Sequence, residues 1–284
     1  MCNIVYKVVS KIVVARLRPY LDKLISPCQT AFVLGRKGIN NAIIVQEVIH
    51  SLSKKKGKIG YLALKIDLEK AYDKLEWSFI RDMLIRVNIP IDLIDTIMSC
   101  VTTVSTLIVF NGEALEPIYP SKGLRQGDPL SPYLFILCMD FLGQLIMEKC
   151  SAKLWRPIKV SQRGPSVSHL MFADDLALFA KPDNVNCYAI GDVLDEFCKM
   201  CVQTDSEAKS RVFFSPNVDL DDREAFCDIL GFASTSYLGK YLGIPFRQPG
   251  MSSREYNFIL DRVKQKLAGW KANVLSLAGR AVLI

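Results

Sequence analysis

Two adjacent carboxylates, Asp174 and Asp175, are the residues of this chain whose types and spacing best suit chemistry. They lie between two mostly apolar runs, residues 169–172 and 176–180, and this arrangement predicts a β-hairpin with an acidic tip. Aspartate is a poor strand former and a costly group to bury, so a pair at a turn needs either solvent or a counter-cation. A bound Mg²⁺ would supply that cation.

A third carboxylate, Asp67, follows a stretch in which Leu62, Leu64 and Ile66 alternate with other residues. This period of two predicts a strand that delivers Asp67 to its C-terminal end. Two-metal phosphoryl transfer needs carboxylates from separate elements that converge on cations about 3.5–4 Å apart. A lone aspartate at a strand end is more often a cap or turn former, so Asp67 indicates a metal site only in combination with Asp174.

The charge balance permits a polyanionic partner without requiring one. The 284 residues carry a formal net charge of +7, with 50% hydrophobic and 23% charged residues, which is ordinary for a folded intracellular protein. The excess is concentrated between Arg247 and Ile284, where seven basic residues stand against two acidic ones. This segment is the best candidate for contact with a phosphate backbone, and a solvated helix face is the alternative.

Cysteine usage and the N-terminus indicate an intracellular protein, in the nucleus or the cytoplasm. The nine cysteines are an odd number in a chain too long to need disulfides, so we expect reduced thiols. Cys198 and Cys201 form a C-x-x-C pair without a second pair at zinc-finger spacing, and one buried helix face explains them. We see no targeting signal and no stretch of eighteen uncharged apolar residues, so we expect no membrane partner.

Strand and helix patterns mix along the chain without a regular βαβ alternation. The period of two at residues 61–67 follows helical patterns and precedes others, and the acidic hairpin comes more than a hundred residues later. This order predicts an α+β fold with an antiparallel sheet.

Three motifs in this order resemble the palm motifs of reverse transcriptases, and more narrowly those of plant LINE-type (non-LTR) retrotransposons. The motifs are K-I-D-L-E-K-A-Y-D at 65–73, G-L-R-Q-G-D-P-L-S-P at 123–132 and F-A-D-D at 172–175. Ordered matches that include a ten-residue loop are far more specific than any one short motif. The flanks also resemble that family, at residues 26–36 (a finger segment), 241–245 (a primer-side turn), and 269–270 with 278–280 (the early thumb).

The resemblance implies a right-hand polymerase fold, with a palm, partial fingers and a truncated thumb. It places the partial fingers at residues 1–60, the palm with inserted finger elements at 61–245, and the start of the thumb at 246–284. It further implies a fragment of a longer polyprotein, because no endonuclease, zinc-knuckle or RNase H segment is found in the chain.

The resemblance also implies the partners and the site. The partners would be an RNA template, a DNA primer and a dNTP, with two Mg²⁺ ions as cofactors; Mn²⁺ in their place and the oligomeric state are left open. Asp67 and Asp174 would hold the metals, with Asp175 beside them in support. Arg36 would bind the triphosphate, Tyr72 would exclude a 2′-hydroxyl, Arg125, Gln126 and Gly127 would form the nucleotide loop, and Lys209 would protonate the leaving pyrophosphate.

Several alternatives stay open at the level of sequence. Arg125 and Asp128 could pair with each other and only shape their loop, and Tyr72 could be a core residue. The family's glycine turn before Lys209 is replaced by Cys201-Val202. The whole chain could be a catalytically inactive remnant that at most binds nucleic acid. An intron-encoded maturase or a viral RNA polymerase is the third reading, and Tyr72 argues against the RNA polymerase.

Overall fold

A computed structural model describes residues 4–160, 164–203, 206–246 and 257–268 of the chain. The Gly-Trp and Ala-Gly-Arg pieces expected in the thumb, and most of the basic C-terminal segment, lie outside these residues. The helices are α1 (Ile4–Leu17), α2 (Leu21–Leu24), α3 (Gly38–Ser53), α4 (Ala71–Lys74), α5 (Trp77–Arg86), α6 (Ile91–Thr102), α7 (Ser131–Ser151), α8 (Asn184–Cys201), α9 (Leu220–Leu230) and α10 (Asn257–Ala268), and a 3₁₀ turn, Arg18–Tyr20, joins α1 to α2.

The strands form one central antiparallel sheet and several short hairpins. The order in the central sheet is β6-β7-β1-β8, so β1 lies between the second strand of the acidic hairpin and β8. The prediction of an α+β fold with an antiparallel sheet is confirmed. The strands are β1 (Leu62–Ile66), β2 (Val109–Phe110), β3 (Glu113–Ala114), β4 (Ile158–Lys159), β5 (Ser166–Val167), β6 (His169–Phe172), β7 (Asp175–Ala180), β8 (Arg211–Phe214), β9 (Lys240–Tyr241) and β10 (Ile244–Pro245).

Apolar clusters cover both faces of the central sheet, and alternate side chains of β1 point into one cluster or the other. Leu62, Leu64 and Ile66 point into the larger apolar cluster, which includes α5, α7 and α8. Ala63 points to the opposite face, where it joins a smaller cluster formed with α3. Because the sheet is held from both sides, the ends of β1 and β7 are set rigidly against each other.

Helix α7 is the most buried helix among the described residues, and it packs against α5 and α8. Its residues from Leu134 to Gly143 are all buried, including the carboxylate of Asp140. Asp140 Oδ1 accepts from the backbone N–H of Ser26 at 2.7 Å, which ties the segment after α2 to α7. In the part of the chain that the structure describes, no helix, α7 included, is long and apolar enough to cross a membrane.

Helix α9 could not be predicted from a local apolar pattern. Its sequence, L-D-D-R-E-A-F-C-D-I-L, is rich in charge, and only Phe226 and Leu230 are buried. The apolar periodicity is therefore too weak to indicate a helix, whose position depends on packing against α8 and on the ring of Phe214 in β8.

The cysteines of the described chain are free thiols, as predicted. They include both members of the C-x-x-C pair, of which Cys201 is buried and Cys198 partly buried on α8. Burial raises the pKa of Cys201 to about 12, so this thiol stays protonated and a poor metal ligand at neutral pH.

Candidate active site

The sheet brings Asp67, Asp174 and Asp175 to the same edge. Ile66, the last residue of β1, pairs with Leu176 of β7, so Asp67 follows beside Asp175. Phe172 pairs with Asp175 across the acidic hairpin, which leaves Ala173 and Asp174 as the two residues of the turn. Asp174 is exposed, whereas Asp67 and Asp175 are half-buried.

The electrostatics of Asp175 show that the three carboxylates interact. Burial raises the pKa of Asp175 above its usual range, the charge of Lys65 opposes this shift, and the charges of Asp174 and Asp67 add to it. Like charges disfavour one another's ionised forms, so the cluster would gain from a cation. Within the described ranges, no three Asp, Glu, His or Cys side chains are placed closely enough to form a ready metal cage.

Lys209 reaches this edge from the loop before β8. Its Nζ lies 3.5 Å from Asp67 Oδ1, and both side chains are substantially exposed. The loop is bonded to Asp67 itself: Ser206 N–H donates to the Asp67 carbonyl at 2.8 Å, and Ser210 Oγ accepts from Asp67 N–H at 3.1 Å. The chain therefore brings Lys209 to Asp67.

The missing glycine before Lys209 does not remove the turn. Val202 ends α8 with φ of 54°, in the left-handed region that glycine usually occupies at this position. Next to it, the buried amide of Gln203 donates to the carbonyl of Ala71 at 2.7 Å and so connects the end of α8 to α4.

Tyr72 on α4 faces the carboxylates. Its ring stacks on Phe135 of α7, with centroids 4.2 Å apart and planes 13° apart. Burial, followed by the nearby charge of Asp174, raises the pKa of Tyr72 to about 12. The half-buried ring is thus fixed by stacking on Phe135, and its hydroxyl is close enough to Asp174 for the two groups to interact electrostatically.

The Gly-rich loop, residues 121–130, is fastened to the Tyr72 segment. Leu124 N–H donates to the Tyr72 carbonyl at 2.7 Å, and Gly123 N–H donates to the Leu75 carbonyl at 2.8 Å. At Gly123, φ is 86° and an added Cβ would lie 2.7 Å from the Asp73 carbonyl, so only glycine fits. Gln126 and Gly127, farther along, are exposed and open to a ligand.

Arg125 and Asp128, which flank Gln126 and Gly127 in this loop, contact α1. The Arg125 guanidinium lies over the Tyr6 ring, 4.7 Å from its centroid. The buried Asp128 carboxylate accepts hydrogen bonds from the Tyr6 hydroxyl and from Ser10 Oγ, the latter at 2.6 Å. Asp128 therefore shapes the loop through α1, a contact that the sequence did not indicate.

Arg36 is engaged by the segment that precedes it. Its guanidinium donates to the carbonyls of Ser26 (2.5 Å), Gln29 (2.7 Å) and Ile25 (2.9 Å), and it bonds both the carbonyl and the carboxylate of Asp22. These acceptors use the five N–H donors that arginine has. Binding to a triphosphate stays a prediction for Arg36, and in this arrangement it would require some of these bonds to be exchanged.

The turn formed by β9 and β10 lies on the other side of the carboxylates. Lys65 Nζ donates to the Lys240 carbonyl at 2.7 Å. The pKa of Tyr241 is raised mainly by burial and, to a smaller extent, by the charge of Asp175. From α3, Gln46 Nε2 donates to the Pro245 carbonyl at 2.6 Å. These contacts place the 241–245 segment beside Asp175.

Gln29 is another residue at the site whose contact sequence reasoning missed. It is fully buried, and its side-chain amide bonds the backbone of Ala173, 144 residues away, at the tip of the acidic hairpin. The residue lies in the finger-like segment, but no local pattern separates a buried amide from a solvated one in a loop. Nothing in the sequence therefore signals this contact.

Sequence comparisons relate the chain to retrotransposon proteins. The profile of the family described as "Reverse transcriptase (RNA-dependent DNA polymerase)" matches residues 1–246. The chain is 26% identical over 294 aligned residues to the transposon TX1 uncharacterized 149 kDa protein of Xenopus laevis, covering 98% of this chain and 21% of that protein. It is 33% identical over 155 residues to the Pol polyprotein of the type-2 retrotransposable element R2DM of Drosophila melanogaster, covering 55% and 14%.

A shorter match comes from a plant. An uncharacterized mitochondrial protein of Arabidopsis thaliana is 48% identical over 69 residues, which cover 24% of this chain and 57% of that protein. The chain thus spans about a fifth of the TX1 protein and about a seventh of the R2DM polyprotein. The predicted resemblance to retrotransposon proteins is confirmed.

The fold is similar to that of a solved telomerase. The structure of telomerase from Candida tropicalis in complex with a fragment of telomeric RNA aligns with 90% of this chain and 40% of that one, with a TM-score of 0.55 and 12% sequence identity. At this identity the likeness concerns the fold alone, and it confirms the predicted right-hand polymerase fold.

Proposed function

This chain belongs to the reverse transcriptase (RNA-dependent DNA polymerase) family, and from that membership we propose that it is the RNA-directed DNA polymerase domain of a non-LTR retrotransposon protein. Within that fold, residues 1–60 act as fingers, 61–245 as the palm, and 246–284 as the start of the thumb. The observation that carries the proposal is the meeting of Asp67 with the Asp174-Asp175 hairpin at one edge of the sheet.

In the proposed reaction, the 3′-hydroxyl oxygen of a DNA primer attacks the α-phosphorus of a dNTP selected by an RNA template. A new phosphodiester bond forms, the bond from the α-phosphorus to the bridging oxygen breaks, and pyrophosphate leaves. The hydroxyl proton is lost from the attacking oxygen, and the leaving pyrophosphate gains a proton.

The carboxylates fit divalent cations. Mg²⁺ typically takes one or two protein carboxylates and completes its shell with water and phosphate oxygens, so an open edge with Asp67 and Asp174 suits it better than a closed cage. Bound there, two Mg²⁺ ions, or Mn²⁺ in their place, would lower the pKa of the primer hydroxyl and stabilise the charge on the phosphorus. Asp175, half-buried and facing Lys65, supports the other two carboxylates.

The nucleotide is assigned to the space between Asp174 and the Gly-rich loop. Tyr72, held flat on Phe135, would meet a 2′-hydroxyl and so select dNTPs. Gln126 and Gly127 would touch the sugar or base, since Gly127 allows close backbone approach. Arg125 holds the loop against α1 through Tyr6 and supports the nucleotide indirectly.

We assign to Lys209 the role of donating the proton that the leaving pyrophosphate gains. Its ammonium lies 3.5 Å from an oxygen of Asp67, among the residues that would hold the metals. A positioned ammonium that delivers a proton in the transition state acts as a general acid.

Primer extension tests this function. The protein would be given an RNA template, a DNA primer, dNTPs and Mg²⁺, beside Asp174→Asn and the control Asp195→Asn, which alters an exposed carboxylate on α8. We expect extension by the wild type and the control, and a loss of at least about 100-fold in Asp174→Asn. If the wild type and Asp174→Asn bind RNA equally and neither extends the primer, the chain is a binding remnant.

A further inference from the structure

We propose that Gln29 is a positioning residue that fixes the Asp174 carboxylate by holding the backbone of Ala173. The proposal rests on the function proposed above, because it concerns how the finger segment prepares one of the metal-binding carboxylates. Gln29 itself would touch neither metal nor nucleotide.

The contacts of Gln29 use both ends of its amide. Oε1 accepts from the N–H of Ala173 at 3.1 Å and from the N–H of Ala31 at 3.0 Å, and Nε2 lies 3.5 Å from the Ala173 carbonyl. Gln29 is 0% exposed and Ala173 is 7% exposed, so water does not substitute for these bonds. Without Gln29, the Ala173 N–H would be a buried donor without an acceptor.

Ala173 needs such support because of its conformation. Its φ is 53°, in the left-handed region that residues with a Cβ disfavour. Ala173 is the first of the two turn residues, and its peptide group leads directly to Asp174. A change of backbone conformation at Ala173 would therefore move the Asp174 carboxylate, whereas Asp175 is held by strand pairing and Asp67 by backbone bonds to Ser206 and Ser210.

Gln29 is itself fixed by two neighbours. The backbone around it pairs with β6, since Thr30 N–H donates to the Met171 carbonyl at 3.1 Å and Met171 N–H donates to the Cys28 carbonyl at 2.9 Å. On the other side, the Arg36 guanidinium donates to the Gln29 carbonyl at 2.7 Å. A continuous set of bonds thus runs from Arg36 through Gln29 to the hairpin tip.

The test compares Gln29→Met with Asn186→Leu. Methionine keeps the length of the side chain and removes both polar groups. Asn186 is an equally buried amide that accepts from the Arg156 N–H at 2.6 Å, near the start of α8, so its replacement controls for loss of a buried hydrogen bond elsewhere.

The first measurement, amide hydrogen exchange, does not depend on activity. We expect the Ala173 amide to exchange at least about tenfold faster in Gln29→Met than in Asn186→Leu under the same conditions, because only the former loses its acceptor. If the Ala173 amide exchanges at the same rate in both variants, the proposal is wrong.

The second measurement is primer extension. A displaced carboxylate affects the chemical step, so we expect kcat to fall about 10- to 100-fold in Gln29→Met with the KM for dNTP unchanged, and Asn186→Leu to keep the wild-type kcat. An unchanged kcat in Gln29→Met would overturn the positioning role even if exchange is faster. If the wild type itself does not extend a primer, the proposed function fails, and the exchange rate of Ala173 alone decides whether Gln29 holds the hairpin.

Discussion

The ammonium of Lys209 lies 3.5 Å from a carboxylate oxygen of Asp67. The two residues are 142 positions apart in sequence, at neighbouring ends of β1 and β8. Their side chains are 68% and 39% exposed, and ion pairs this exposed contribute about 0–1 kcal/mol to stability. The ion pair therefore contributes little to stability, and the chemical role of Lys209 stays a prediction.

Replacing Lys209 with alanine should therefore affect catalysis far more than folding. If Lys209 acts as a general acid, we expect the rate of single-nucleotide incorporation to fall about 10²- to 10⁴-fold while the free energy of unfolding changes by less than about 1 kcal/mol. The control is Lys149→Ala, which removes a 3.1 Å ion pair to Asp192. Equal and small effects of both variants on the rate would exclude the general-acid role.

Replacing Tyr72 with alanine should admit ribonucleotides. The ring stacked on Phe135 is the part that would meet a 2′-hydroxyl, so its removal should lower the preference for dNTP over rNTP about 10- to 200-fold. Tyr72→Phe is the matched variant, since it keeps the ring and should keep the preference. The ratio of kcat/KM values for the two nucleotides measures the effect, and unchanged selection in Tyr72→Ala would contradict the assignment.

Gly123 and Gly127 provide a matched pair in the Gly-rich loop. Both have φ near 85°, but an added Cβ meets the Asp73 carbonyl at Gly123 and nothing within 4 Å at Gly127. Gly127→Ala should cost about 1–2 kcal/mol, which is the strain of the left-handed conformation alone. Gly123→Ala should cost clearly more, because the loop must also move away from α4. Urea unfolding measures both losses of stability. Equal losses would mean that the loop moves away from the Asp73 carbonyl at no cost in free energy.

The buried His169 should make stability depend on pH. Burial lowers its pKa to about 4, below the ordinary value of 6.5. Between these values the unfolded chain binds the proton and the folded chain does not, so stability falls as pH falls. From pH 6.5 to pH 5 this amounts to about 1.5 kcal/mol, because the unfolded histidine is half-protonated at pH 6.5 and the full slope of about 1.4 kcal/mol per pH unit applies only below it. His169→Gln should make the free energy of unfolding, measured in urea, depend less on pH in this range. If the wild type and the variant show the same dependence on pH, other groups cause it.

Most local elements near the site, and the candidate carboxylates, could be predicted from the sequence. Alternating residues define β1 and place Asp67 at its end, and two aspartates between apolar runs define the hairpin, because both signals depend on neighbours within a few residues. Ordered motifs then indicated the family. Charge-rich α9 escaped prediction because few of its residues are buried.

The tertiary structure was needed to show how these elements support one another. It placed β1 between β7 and β8, turned Asp128 to Tyr6 and Ser10 of α1, and directed the Arg36 guanidinium to the carbonyls beside Gln29. The bond from Gln29 to Ala173 joins residues 144 positions apart. Such contacts form because the packed elements bring distant backbone groups together and exclude water from them. Local sequence patterns do not contain this information.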